Sequence, residues 1–338
     1  DSPLCCIHRS LTAPGQEDYR YISADYTTLE QAIQLAEDAF KHRKDTRADR
    51  VKTLGEAARA LHAHRTELMT AMVRDAGFTL EDAETEMRNA IDSCRYYAAS
   101  ARQDGFYDGT QATPLGIVVV APNRMHPVAD AVAGIAAAWV MGNAVIYKPA
   151  AYTTMLGSKL AKVLGGAGLA DPYLLFLPGL DNQIPLRLMM DERVGGVIHP
   201  AEPQDAARIA TTGTNLMAQP CGMSTVYVSA AGDWGKAIRD VVHAAFRRSG
   251  QSPDCPHLML VQAQLYDNPR FMAAIKDAVS GLRAEPGWRE GADVGPLSYL
   301  LDDDCRRMLT DADDHETWLV QPLTREKGSL IWTPGVRT

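Results

Sequence analysis

The chain has 338 residues, enough for roughly two domains with a sizeable buried core. Its 34 basic and 42 acidic residues leave a net charge of −8, which excludes a general nucleic-acid binder, since that function needs a basic face to displace counterions. With 46% hydrophobic and 22% charged residues the composition is globular rather than disordered, and six cysteines are too few for a disulfide scaffold. A reducing, cytoplasmic setting is therefore expected.

In chain order, residues 1–26 show no regular period and read as an N-terminal arm. Residues 1–10 lack the basic-then-apolar pattern of an export signal. Thr27-Thr28-Leu29-Glu30 has the form of a capping box opening a helix that carries Leu29, Ile33, Ala36 and Phe40. A second amphipathic helix runs through Val51, Leu54, Ala58, Leu61 and Leu68 to a turn at Gly77, and a third carries Met87, Ile91, Cys94 and Tyr97. After Pro114 the period changes. Short β-branched runs at 117–120, 144–147, 174–177, 197–198 and 225–228 alternate with helical stretches at 129–140, 153–164 and 184–190 and one after Pro203. That alternation predicts right-handed crossovers and an open, doubly wound parallel sheet of the nucleotide-binding type.

The most apolar stretch, 131–147, is broken by Gly142-Asn143 and is too short to span a bilayer, so no membrane segment is expected. The turn after the first strand, Ala121-Pro122-Asn123-Arg124-Met125-His126-Pro127, holds no glycine. A dinucleotide bound here cannot use a G-x-G-x-x-G loop. From Asp233 a helix (237–246), a strand (258–261), a second helix (269–282) and Gly295-Pro296-Leu297 outline a second α/β unit. The expected division is an arm (1–26), a helical lead-in plus dinucleotide-binding domain (27–230), and a catalytic-type domain (231–338).

Several of these segments, in this order, resemble the aldehyde dehydrogenase superfamily. Pro114-Leu115-Gly116-Ile117-Val118-Val119-Val120 is followed by Gly142-Asn143-Ala144-Val145-Ile146-Tyr147-Lys148-Pro149, which looks like the family's Gly-Asn-x-Val-x-x-Lys-Pro strand. Ala167-Gly168-Leu169, Leu177-Pro178-Gly179, Phe246 with Gly250-Gln251, and Gly295-Pro296-Leu297 extend the match. Ala230-Ala231-Gly232-Asp233 and residues 330–335 look most like the pyrroline-5-carboxylate dehydrogenase branch of proline catabolism, whose members are often fused to a proline dehydrogenase. The resemblance implies an aldehyde-dehydrogenase-like fold and NAD-dependent oxidation of glutamate γ-semialdehyde to glutamate, with NADP an open alternative. A cysteine thiolate would attack the aldehyde, an amide would stabilise the oxyanion, and a glutamate-activated water would release the acid.

By the same resemblance Lys148, with Pro149, faces the adenosine ribose, while Pro122 and the turn containing His199 and Ala201 line the cofactor. The reactive positions depart from the family pattern. Gly250-Gln251-Ser252-Pro253 puts proline where Gly-Gln-x-Cys has its nucleophile, and Gln219 stands in the place of the general-base glutamate. Ile198-His199-Pro200-Ala201 replaces Phe-Thr-Gly-Ser, Ala151 replaces the ribose-contacting acid, and the family's downstream Glu-x-Phe-Gly-Pro segment would lie beyond Thr338, so the second domain reads as incomplete.

Two readings stay open. One is residual aldehyde oxidation, with Cys255 as a displaced nucleophile beside His257, Gln219 orienting water and Asn123 as oxyanion donor. The other is a non-catalytic pseudoenzyme that binds nucleotide, or serves as a homo-oligomerising or proline-dehydrogenase-associated module. Cys5, Cys6, Cys94 and Cys305 have no C-x-x-C spacing, and the aspartates at 302–304 lack the spacing of a cation loop, so no metal site is expected.

Overall fold

A computed structural model of the chain describes residues 5–9, 17–102, 113–179, 183–201, 203–218, 222–299, 301–324 and 328–338. Residues 17–75 and those from 83 to 218 belong to one compact unit, and residues 76–82 and those from 222 onward to another.

The expected arm contains a two-stranded sheet, β1 (Cys5–Arg9) with β2 (Glu17–Ile22). Four helices follow where the apolar periodicity suggests three: α1 (Tyr26–Lys41), α2 (Arg47–Ala63), α3 (Arg65–Ala76) and α4 (Leu80–Ser100). The expected second helix breaks at His64, which caps α2. Asp25, not Thr27, starts α1, its carboxylate accepting the Thr28 amide at 2.7 Å. Glu30 instead pairs with Arg193. A complete capping box stands one helix later, between Thr46 and Asp49.

Next come β3 (Ile117–Val120), α5 (Ala129–Val140), β4 (Ala144–Tyr147), α6 (Thr154–Gly166), β5 (Leu174–Phe176), α7 (Gln183–Met189), β6 (Val194–Ile198), α8 (Pro203–Ala210) and β7 (Asn215–Met217). The five strands form one parallel sheet in the order β5-β4-β3-β6-β7. Successive strands lie on either side of β3, so the topological switch falls between β3 and β6. Ile117, Val119 and Ile146 pack with Leu29, Ile33 and Ala36 of α1 on one face. On the other, Val120 meets α5 at Gly134 and Tyr147 meets α6 at Gly157. Every residue of β3 and β4 is buried, as expected for a parallel sheet covered on both sides.

The Gly-Asn pair before β4 is a structural weld. Gly142 has φ +88°, a conformation disfavoured for side-chain-bearing residues. Asn143 Oδ1 accepts the Gly116 amide at 3.1 Å, its Nδ2 donates to the Ala138 carbonyl at 3.0 Å, and its own carbonyl accepts Arg43 Nη1 at 2.7 Å. The Arg43 guanidinium lies against both the Trp139 and Tyr173 rings, 4.6 and 4.5 Å from their centroids, where the two rings meet edge to face.

The fifth strand corrects the sequence reading. Residues 225–228, expected to close the first sheet, lie in β8 (Ser224–Val228), which pairs in parallel with β9 (Pro256–Val261) in the second unit. The first sheet is completed by Asn215–Met217, a three-residue edge strand whose half-exposed Asn-Leu-Met carries no apolar run to betray it. Between β8 and β9 runs α9 (Trp234–Phe246), and after them α10 (Ala263–Tyr266), α11 (Pro269–Ser280), α12 (Asp303–Thr310) and the antiparallel pair β10 (Trp318–Val320) and β11 (Val336–Arg337). Val228, Met259 and Val261 pack on Ile238, Val242, Phe271 and Ile275 of α9 and α11. The opposite face of the strand pair carries Thr225, Tyr227, Leu258 and Leu260, all exposed.

Helices α5 and α6, which follow β3 and β4, begin at Val128 and Thr153, neither of which caps its helix with a side chain. Their caps come from the helical lead-in. Glu86, fully buried on α4, accepts the Val128 and Ala129 amides at 3.2 and 2.8 Å through Oε2. Asp75, fully buried on α3, accepts the Leu156 amide at 2.8 Å, and Tyr19 Oη accepts the Met155 amide at 3.1 Å. Asp75→Ala, which strands a buried helix amide, should lower unfolding free energy by about 2–3 kcal/mol in urea titrations, while Asp75→Asn, which keeps an acceptor, should lose less.

Candidate functional site

In the first unit the carboxyl ends of β3 and β6 meet at the topological switch, the position where doubly wound sheets bind ligands. The Ala121 amide donates to the Ile198 carbonyl at 2.9 Å, and His199 Nδ1 lies 2.8 Å from the Ala121 carbonyl. A carbonyl can only accept, so Nδ1 carries the proton and the ring is fixed across the two strand ends. Pro122 and Ala201 are buried and set the course of the two loops.

Lys148 leaves the end of β4 with its backbone amide donating to the Val120 carbonyl at 2.9 Å, and the residue is 5% exposed. Pro149 lies against α6 at Gly157, where a Cβ would come within 2.7 Å of the proline Cβ and 3.1 Å of Tyr147 Oη. Glycine there lets α6 approach the strand end that carries Lys148.

Asn123 sits in the loop between β3 and α5. Its Oδ1 accepts the amides of Met125 and His126 at 2.8 and 2.7 Å. The His126 ring reaches back through Nδ1 to Glu86 Oε1 at 3.0 Å. Sequence reading passes over Glu86 and Asp75, although each leaves a trace. Glu86 lies on the stripe of Ala83, Met87 and Ala90, and Asp75 on that of Leu68 and Met72, so both put a carboxylate on an apolar helix face.

In the second unit the segment after α9 has an unusual backbone. Arg248, Ser249 and Gly250 all adopt left-handed conformations, with φ of 50°, 58° and 68°. For the two non-glycine residues this costs roughly 1–2 kcal/mol each, so the surroundings must hold them. The Arg248 amide donates to Asp82 Oδ2 at 3.3 Å and its guanidinium stacks over the Phe78 ring. Ser249 Oγ donates to the Gly295 carbonyl at 2.7 Å. Gln251 Oε1 accepts from Ser298 Oγ and amide at 2.8 and 3.2 Å. Burial pushes the Asp82 carboxyl above its usual range, against the opposing pull of the Thr79 hydroxyl and the Arg248 charge.

The residue this loop leads to is Pro253, which has neither a nucleophilic side chain nor a backbone N–H to offer an oxyanion. Cys255, the candidate for a displaced nucleophile, has none of a reactive thiol's surroundings. It is fully buried, its Sγ faces the Arg247 carbonyl at 3.5 Å, and burial, reinforced by the Asp254 carboxylate, pushes the thiol pKa up. An attacking cysteine needs the reverse, an accessible and electropositive setting. Nor does His257 pair with it; its Nε2 lies 3.3 Å from the Gly250 carbonyl. Gln219, expected from the resemblance to stand in the general-base position, lies outside the described residues, as does Cys221.

Among the described residues no group of three or more His, Cys, Asp or Glu side chains is gathered to hold a metal ion. Asp302 of the acidic run is the N-cap of α12, accepting the Cys305 amide at 2.7 Å. No helix among the described residues is long and apolar enough to cross a membrane.

The sequence and the fold both have counterparts among known proteins. The aldehyde dehydrogenase family model matches residues 12–312, and the chain belongs to that family. The bifunctional protein PutA of Klebsiella aerogenes is 30% identical over 74% of this chain, which spans 19% of that protein. A 1-pyrroline-5-carboxylate dehydrogenase of Bacillus cereus is 25% identical over 90% of this chain and 65% of its own length. The chain thus spans about a fifth of the first relative and just under two thirds of the second.

Among solved structures, proline utilization A from Corynebacterium freiburgense matches with a TM-score of 0.86 at 26% identity, covering 95% of this chain and 33% of that one. A 1-pyrroline-5-carboxylate dehydrogenase from Thermus with bound NAD matches with a TM-score of 0.87 at 21% identity, covering 100% and 69%. At that identity the second likeness speaks for the fold alone.

Two outcomes follow for the site residues. Gly157→Ala should destabilise the chain by about 1–3 kcal/mol in chemical denaturation, because overpacking against Pro149 outweighs the roughly 1 kcal/mol that alanine gains over glycine in a helix. Iodoacetamide should leave Cys255 unmodified in native buffer and alkylate it in denaturant, as read by peptide mass spectrometry. Rapid native labelling would return that thiol to candidacy.

Proposed function

We propose that this chain is an aldehyde-dehydrogenase-type module, akin to those that oxidise glutamate γ-semialdehyde in proline degradation, which keeps ligand-binding architecture but no longer captures the aldehyde covalently. Pro253 carries this reading. By the resemblance it stands in the nucleophile's place, and it follows a turn held by the Gln251 and Ser249 contacts. The burial of Cys255 supports it, since the cysteine next along the sequence is held away from solvent. Glutamine at 219 adds to it, because an amide cannot take a proton from water at neutral pH.

The ligand in this reading is NAD, with NADP the alternative because Ala151 stands where an acid would read the ribose. Lys148 at the carboxyl edge suits a ribose hydroxyl, and Pro149 and His199 frame the same edge. The α5 and α6 amides that take Glu86, Asp75 and Tyr19 are not open to a pyrophosphate. When bound, the nicotinamide supplies a hydride acceptor; this chain's own residues supply orientation. A small-molecule aldehyde, a second copy of the chain, or an associated proline dehydrogenase is the expected partner, in the cytoplasm.

Calorimetric titration with NAD tests the reading. The parent chain should release heat, and Lys148→Ala should weaken binding about tenfold, equivalent to about 1.4 kcal/mol. NADH should not accumulate when glutamate γ-semialdehyde is added. Turnover above the uncatalysed rate would restore the enzymatic reading, and absence of heat would leave only a partner role.

A further inference from the structure

Arg248, Ser249 and Gly250 make one turn of left-handed helix in the second unit. Two of the three carry side chains, for which this conformation is unfavourable, so neighbouring segments must hold the turn. The Ser249 hydroxyl is anchored on the Gly295 carbonyl at 2.7 Å and lies 3.3 Å from that of Pro296. Asp82 acts on the backbone itself, its Oδ2 accepting the Arg248 amide at 3.3 Å.

Asp82 is buried and fixed in place. The Thr79 hydroxyl donates to the same Oδ2 at 2.9 Å, and the Asp82 amide donates back to Thr79 Oγ1 at 3.2 Å. Both donors thus sit on one oxygen, so a proton on Oδ1 would keep both hydrogen bonds while removing a buried charge. We propose that this turn is a proton-gated latch: neutral Asp82 keeps Arg248 and Ser249 left-handed, whereas ionised Asp82 draws in water, gives up the Arg248 amide and lets the turn relax. Burial raises the Asp82 carboxyl above its usual range, so the closed turn binds the proton more tightly, is favoured in acid and loosens as pH rises through that raised value. The Arg248 guanidinium, over the Phe78 ring, opposes the shift from the turn's side. Two other titratable groups adjoin the turn: His257 Nε2 lies 3.3 Å from the Gly250 carbonyl, and Asp254 pairs with Arg247. The latch is independent of which ligand the first unit takes.

The test is NMR of the full chain from acidic to neutral pH, following the Asp82 carboxyl carbon and hydrogen exchange of the Arg248 amide, corrected for its intrinsic rate. The two should titrate with one midpoint, above the ordinary carboxylate range, and protection of the amide should fall about tenfold across it. Asp82→Asn, which keeps an acceptor and cannot ionise, should hold the acid level of protection at neutral pH. His257→Gln and Asp254→Asn should each leave the parent's titration unchanged. The parent's own titration needs no variant, so it decides the matter even where a substitution disturbs folding.

An Arg248 amide whose protection ignores the Asp82 titration, or an Asp82→Asn variant in which protection still falls as pH rises, would overturn the latch. So would loss of the effect in His257→Gln or Asp254→Asn, since the proton would then act at that side chain rather than at Asp82.

Discussion

Two buried carboxylates, both carried by the N-terminal helices, finish the helices that flank β4. Neither α5 nor α6 starts with a side chain able to satisfy its own first amides, and both start at the buried carboxyl edge of a parallel sheet. Removing a carboxylate from water is unfavourable by several kcal/mol unless donors replace the lost hydration. Glu86 finds two backbone amides and a histidine ring, and Asp75 finds the Leu156 amide, each at the positive end of a helix. The helical lead-in and the sheet are thereby one cooperative structure. The same contacts decide what the sheet edge can hold, since helix ends that serve as anion sites in many dinucleotide-binding folds are here already satisfied from within.

The second unit holds a strained turn by contacts from several separate segments. Strain in the left-handed turn is held by Asp82, Phe78, Gly295 and Ser298, which come from well-separated parts of the sequence. Strained backbone of this kind gathers at functional sites. The loop leads to Pro253, whose ring can neither attack a carbonyl nor donate to an oxyanion.

Much of the first unit was legible in the sequence because its strands are apolar on both faces and its glycines mark turns. The runs at 117–120 and 144–147 coincide with β3 and β4, 174–177 ends one residue beyond β5, and 197–198 is the last part of β6. The edge strand Asn215–Met217 was not legible: at three half-exposed residues it has no periodicity, and the β-rich segment at 225–228 drew the assignment instead. The break at His64 was hidden because the apolar stripe continues through it. Site residues named from the resemblance could be placed, but their partners could not. That Asn123 is oriented by its own loop, that Cys255 is sealed from solvent and that Glu86 reaches across from another helix all depend on contacts between residues distant in sequence or on a loop's exact course.

The β8–β9 pair has one face packed and one face open. Parallel strands are ordinarily covered on both faces, yet Tyr227, Leu258 and Leu260 are exposed beside one another on one face of the pair. Water gains order along such apolar side chains, so any surface that covered them would be drawn there by the same hydrophobic force that packs the opposite face of the pair on α9 and α11.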